Sequence, residues 1–183
     1  VLETAKALGN PILIGHSLGG LIALKLAENQ NPPAVVALSP APPRGIFAVK
    51  SPAAILSFIR HLPRILFSRP ILLGRDEAAR LVMNGIPLQQ QDALYARGLP
   101  QSGRLMFELT ILGVPVDASK VRCPVLVVAG KDDRMTPSRI AKRIAEKYRA
   151  DFREYTGHAH LLELEPGWKE IAHDIANWLE RAI

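Results

Sequence analysis

Gly15-His16-Ser17-Leu18-Gly19 lies between an apolar run at residues 11–14 and a helical pattern that begins at Leu21. A serine on a strand-to-helix turn holds its hydroxyl clear of the backbone, and glycines two positions before and two after should let the flanking chain pass without a clash. Such a hydroxyl is a weak nucleophile near neutral pH. It needs a neutral imidazole to take its proton and a carboxylate to fix the tautomer of that imidazole. Both residue types occur downstream, in loops that follow strand-like runs. Residues 123–130 read as an apolar, valine-rich strand buried on both faces of a parallel sheet, and its end delivers Asp132 and Asp133 into a loop. Residues 156–168 follow a short alternating strand at 151–155 and carry His158 and His160. Ser, Asp and His thus occur in that order, each just past the carboxyl end of a strand, where ligands gather in parallel sheets.

The same residues admit plainer uses. Asp132 and Asp133 fit a solvated turn ahead of a helix capped by Thr136 with Pro137 in its first turn. His158 and His160 in an H-x-H pattern on extended chain could face one metal, but a site needs a third ligand and Cys123 stands alone. His16, His61 and His173 receive no functional role.

The elbow at residues 14–20, the acid loop at 124–137, the histidine loop at 157–168 and the order Ser, acid, His resemble the α/β-hydrolase superfamily. The resemblance covers essentially the whole chain. It implies an α/β fold, a mostly parallel sheet with flanking helices and an inserted helical cap. It implies Ser17 as nucleophile and Asp133 as the acid, the third residue after the strand-ending Gly130. His160, five residues before Glu165 in a His…Glu-Pro-Gly-Trp pattern, is the implied base, with Asp132 and His158 as the neighbouring candidates. It also implies the backbone N–H of Leu18 as an oxyanion donor. The activity it implies is carboxylic ester hydrolysis through an acyl-enzyme, with no cofactor and no metal. The substrate is a small-molecule ester with an apolar acyl or aryl group. Serine at the elbow speaks against epoxide-hydrolase and dehalogenase chemistry, for which similar proteins use aspartate. A cofactor-free carbon–carbon bond hydrolase and a non-catalytic ligand-binding or receptor protein share this scaffold.

To position these residues the pattern predicts a helix to Leu8, strands at 11–14 and 34–39, and a helix at 18–28 between them. It predicts a further strand at 125–129, a helix at 138–148, a strand at 151–155 and a closing helix at 166–182. Connections inside compact α/β domains run about 2–6 residues, so 41–120 is too long for a loop and reads as a second unit of short helices. The expected organisation is hydrolase core at 1–40, cap at 41–120 and core again at 121–183. Within the cap, Ser51-Pro52 reads as a helix start, Pro63 as a kink or stop, Asn84-Gly85 as a terminus and 98–100 as a hinge-like break. Ile55, Phe58, Ile59, Leu62, Ile65, Leu66 and Phe67 should form the core of the cap or line an acyl pocket.

Residues 43–116 carry nine Arg or Lys against four acids, so the cap holds most of the excess positive charge of the chain. That charge suits a solvated face, anionic substrates or an acidic membrane surface. No nucleic-acid motif accompanies it, and 5% aromatic residues are too few for stacking platforms. No apolar run is long enough for stable membrane insertion and no signal pattern opens the chain. With one cysteine, the expectation is a cytoplasmic protein of open oligomeric state. The chain starts without Met inside a helical pattern. It therefore reads as the C-terminal part of a larger enzyme whose earlier strands and second oxyanion donor are not in it. On that reading the strand at 11–14 becomes a sheet edge, and the chain alone should aggregate and be inactive.

Overall fold

A computed structural model describes residues 2–46 and 51–183. Val1 of the first helical pattern and Lys50 of the basic set lie outside the described residues. Four parallel strands form one sheet in the order β1 (Leu13–His16), β2 (Val35–Leu38), β3 (Val125–Gly130) and β4 (Asp151–Tyr155). All side chains of β2 and β3 are buried, as two helical layers require, and alternate residues feed opposite faces. Val35, Val125, Val127 and Ala129 pack with α2 (Leu18–Gln30) and α7 (Ser138–Tyr148), through Leu21, Leu24, Ile140 and Ile144. Val36, Leu38, Leu126 and Val128 pack with α8 (Trp168–Ala182), through Ile171, Ile175 and Trp178. α1 (Leu2–Ala7) precedes the sheet.

β1 differs from the expected strand. It begins two residues later and runs through His16, because Leu13 pairs with Val35 and His16 with Leu38. Among the described residues it pairs with β2 alone and forms an edge of the sheet, and Ile14 is 58% exposed. The other core boundaries agree with expectation to within a residue or two. The last helix starts at Trp168, after Pro166 and a left-handed Gly167 with φ of 92°.

Between β2 and β3 the chain forms α3 (Pro52–Leu66), α4 (Arg75–Leu81), α5 (Leu88–Tyr95) and α6 (Gly103–Phe107). α6 continues into a wide π turn at Glu108–Leu112. Ser51 caps α3 by accepting the N–H of Ala54 at 3.2 Å, with Pro52 in the first turn. Pro63 neither stops the helix nor bounds it, since α3 continues to Leu66 and Phe67 N–H donates to the Pro63 carbonyl at 3.0 Å. α4 ends at Leu81, short of Asn84-Gly85, and the break at 98–100 falls between α5 and α6. The apolar stripe of α3 is a mixed set. Ile65 is buried, while Ile55, Ile59, Leu66 and Phe67 are exposed, so most of the stripe is not the core of this segment.

Two side chains moor the segment to the acid loop. Ser51 Oγ donates to the Arg134 carbonyl at 2.7 Å, and Asn84 Nδ2 donates to the Asp132 carbonyl at 2.9 Å.

Candidate active site

Ser17 is the residue at which β1 stops and α2 begins, and its backbone sits at φ 53°, ψ −116°. Non-glycine residues pay for such a conformation, and it is held here by the Ser17 N–H donating to Leu38 O at 2.8 Å and by Ser17 O accepting from Ala41 N–H at 2.9 Å. Gly15 is needed for close approach, because a Cβ there would run into the backbone of Gly19 and Gly20. Gly19 is different. A Cβ at Gly19 would meet nothing, so the steric demand falls on Gly15 and on Gly20, whose added Cβ would press on Pro40 at 2.9 Å.

β3 ends at Gly130 and the chain turns into the acid loop. Asp133 is buried, and its Oδ1 accepts the backbone N–H groups of Met135 and Thr136, both at 2.8 Å. Its Oδ2 lies 2.8 Å from His160 Nδ1. A carboxylate only accepts, so Nδ1 donates and Nε2 presents its lone pair. Nε2 of His160 is 3.2 Å from Ser17 Oγ. Ser17, His160 and Asp133 therefore form one hydrogen-bonded line, with His160 and Asp133 buried and Ser17 half-buried. Asp133 also satisfies the turn that precedes α7. Pro137, rather than Thr136, is the residue that flanks the helix, and Thr136 gives its N–H to Asp133.

The neighbouring candidates are placed elsewhere. The Asp132 side chain is exposed, while its N–H donates to the His158 carbonyl at 2.9 Å. The His158 ring packs edge-on to Tyr155 with Nδ1 3.3 Å from Glu165 Oε2, and it does not join the line with Ser17. Among the described residues no group of three His, Cys, Asp or Glu side chains is arranged to hold a metal ion.

Two residues that the sequence left without a role shape the site. Glu165 is fully buried, its Oε2 accepting Ala159 N–H at 2.7 Å and its Oε1 accepting Leu161 N–H at 3.0 Å. One carboxylate thus straps the backbone on both sides of His160. Gly85, from between α4 and α5, backs that carboxylate so closely that a side chain there would displace it. The five-residue spacing from His160 to Glu165 was the signal. The second residue is His16. Its Nε2 is 2.8 Å from the His160 carbonyl, which can only accept, so Nε2 donates. The His16 and His160 rings lie 4.8 Å apart, and Glu163 Oε1 is 3.2 Å from His16 Nδ1. Burial, then the His160 charge, hold the His16 imidazole below its ordinary value of 6.5, against the pull of Glu163 and the His160 carbonyl. Its place beside Ser17 was the available signal.

Leu18 is the first residue of α2, so its N–H has no acceptor within the helix. A cleft of about 520 Å³ opens beside the acid loop, lined by Ser51, Asn84, Asp132, Asp133 and Arg134 among others, with Ser17 and His160 outside its walls.

A family model described as the alpha/beta hydrolase family matches residues 1–172. Among solved structures the chain is similar to a monoacylglycerol lipase of Paleococcus ferrophilus, at 25% identity and a TM-score of 0.68, over 99% of this chain and 72% of that one. It is similar to a thermophilic esterase of Thermogutta terrifontis, at 20% identity and 0.68, over 99% and 69%. It is also similar to a monoglyceride lipase of Saccharomyces cerevisiae, at 18% identity and 0.70, over 99% and 65%. No curated protein matches the chain in sequence.

Proposed function

This chain belongs to the alpha/beta hydrolase family, and from that premise we propose that it is an esterase- or lipase-like hydrolase that cleaves carboxylic esters through Ser17, His160 and Asp133. The observation that carries the reading is the line from Ser17 Oγ through both nitrogens of a buried His160 to the Asp133 carboxylate. The names of the similar proteins, lipases and esterases, support an ester as the substrate rather than a carbon–carbon bond.

In the reaction His160 Nε2 takes the Ser17 proton as Oγ attacks the ester carbonyl. Asp133 stabilises the imidazolium that results, and the Leu18 N–H donates to the oxyanion. The tetrahedral intermediate collapses when His160 Nε2 hands its proton to the leaving alkoxide, leaving the acyl group on Oγ. Water, deprotonated by the same nitrogen, then attacks the acyl-enzyme, and the second collapse returns the proton to Ser17. No step calls for a metal or cofactor. The segment from α3 to α6 serves as the cap over this chemistry, anchored through Ser51 and Asn84 to the loop that carries Asp133. The substrate is a small-molecule ester with an apolar acyl or aryl group.

The test is a fluorophosphonate probe together with turnover of a short p-nitrophenyl ester. Ser17→Ala should abolish labelling and lower turnover by about a million-fold, as in other triads that lose the nucleophile, with the fold intact by circular dichroism. Ester turnover that persists in Ser17→Ala would exclude the reading.

A further inference from the structure

The outer face of α3 is apolar and has no partner among the described residues. Leu56 is 68% exposed, Ile59 59% and Phe67 75%, and Ile55, Leu66 and the two prolines Pro52 and Pro63 are exposed beside them. At 100° per residue these seven positions fall within an arc of about 120°, the width of the stripe a helix normally buries. Here the stripe faces outward. Arg60 and Arg64 border it, exposed Arg69 and Leu72 continue it past the helix end, and α3 itself contains no acid. Among the described residues none of these three arginines meets a carboxylate; Arg64 donates to the Pro70 carbonyl at 3.1 Å.

We infer that this face docks on the surface of an anionic lipid bilayer. An amphipathic helix of this make-up lies in the plane of a membrane interface, with its apolar side below the headgroups and its cations among them. The charge decides against a second copy of the chain as occupant. A two-fold contact through α3 would press together two faces that each carry Arg60, Arg64 and Arg69 with no acid in the helix to offset them, whereas anionic headgroups neutralise all three. The docking is peripheral, since no helix among the described residues is long and apolar enough to cross a membrane. Ser51, the cap of α3, donates its hydroxyl to the carbonyl of Arg134, the residue after Asp133, so the start of α3 lies beside the acid loop.

The experiment is flotation of the purified chain with phosphatidylcholine vesicles, with and without phosphatidylglycerol, over a range of salt. Binding should require phosphatidylglycerol and weaken as salt rises. Leu56→Glu with Phe67→Glu should lower the partition coefficient by about tenfold or more, because two anchors become charges at the interface. Arg60→Glu with Arg64→Glu should lower it on anionic vesicles and flatten the salt dependence. Ile14→Ser, at an exposed apolar residue of β1 outside this face, should leave it unchanged. Matching circular dichroism and melting curves establish that each variant folds. Absence of binding by the parent chain would overturn the inference, as would binding that the α3 substitutions leave intact. A dimer in light scattering that Leu56→Glu converts to monomer would assign the face to a second copy instead. Vesicle binding is read without turnover, so its failure is distinct from failure of the Ser17 reading.

Discussion

Asp133→Asn separates the proposed acid from its neighbour through hydrogen-bond polarity alone. Asp133 Oδ1 accepts two buried N–H groups, from Met135 and Thr136, and Oδ2 faces His160 Nδ1 at 2.8 Å. An asparagine has one acceptor and one donor end. If its NH2 turned to the two backbone donors, each would lose its partner at a cost of about 1–3 kcal/mol. The oxygen therefore stays with Met135 and Thr136, and the NH2 faces His160. Nδ1 must then accept, which puts the ring proton on Nε2, the atom 3.2 Å from Ser17 Oγ. An imidazole protonated there cannot take the serine proton. Turnover should fall by about ten thousand-fold, the loss seen when other serine triads receive the wrong tautomer. At about 1.4 kcal/mol per tenfold, that is roughly 5 kcal/mol of barrier. KM should change little, since no substrate contact is altered. Asp132→Asn is the control. Its side chain is exposed and its bond to His158 O comes from the backbone, so turnover should stay within about threefold. Steady-state hydrolysis of a p-nitrophenyl ester and the rate of fluorophosphonate labelling would measure both. An Asp133→Asn enzyme within tenfold of the parent, or an equal loss in Asp132→Asn, would refute the argument.

Glu165→Gln should lower kcat by about tenfold to a hundredfold with little change in KM and reduce the melting temperature. One amide end must face a backbone N–H of Ala159 or Leu161, and the loop that aims His160 shifts; unchanged kcat in a folded variant would count against Glu165 as the strap. Ile14→Lys should reduce aggregation of the chain, seen as less light scattering and less binding of a hydrophobic dye, because β1 is a sheet edge with an exposed isoleucine and a lysine there discourages strand pairing. Equal scattering from parent and variant would place the aggregation elsewhere.

Much of the core was legible because its signals are local. The run from Val125 to Gly130 is apolar on both faces, as only a central parallel strand need be, and the boundaries of α7 and β4 follow from Ser138, Tyr148, Asp151 and Tyr155. In sequence β1 reads two residues early because Gly15 and His16 look like turn in a glycine-rich motif. What extends the strand is the ladder to Ala37 and Leu38, a contact between segments that composition does not carry. Of the kink and the stop expected at Pro63, the stop is not found, for a related reason. A proline ends a helix when the lost hydrogen bond and the ring have nowhere to go, but here it lies on the exposed face of α3, where water can serve the freed carbonyl. The apolar stripe of α3 was visible in sequence, yet periodicity says only that residues share a face and not whether that face turns inward.

The choice between His158 and His160, and between Asp132 and Asp133, shows where local reading stops. Composition treats the members of each pair alike, and their opposite fates come from backbone docking. At the end of β3 a Cβ on Gly130 would collide with the carbonyls of His158 and Ala159, so the histidine loop passes directly over the strand end. With the loop that close, Asp132 N–H reaches His158 O, and the next residue, Asp133, turns its carboxylate inward to His160. From the other side Gly85 leaves the space that the Glu165 carboxylate fills, and that carboxylate grips Ala159 and Leu161. The loop is therefore held at His158 by the acid loop and on both sides of His160 by Glu165. With its backbone fixed at those points, His160 reaches Ser17, Ala159 is buried, and His158 lies against Tyr155 and Glu165. A side chain at Gly130 or Gly85 would move all of these contacts together, which makes two residues without any chemistry of their own as decisive for the geometry as the Ser, His and Asp they serve.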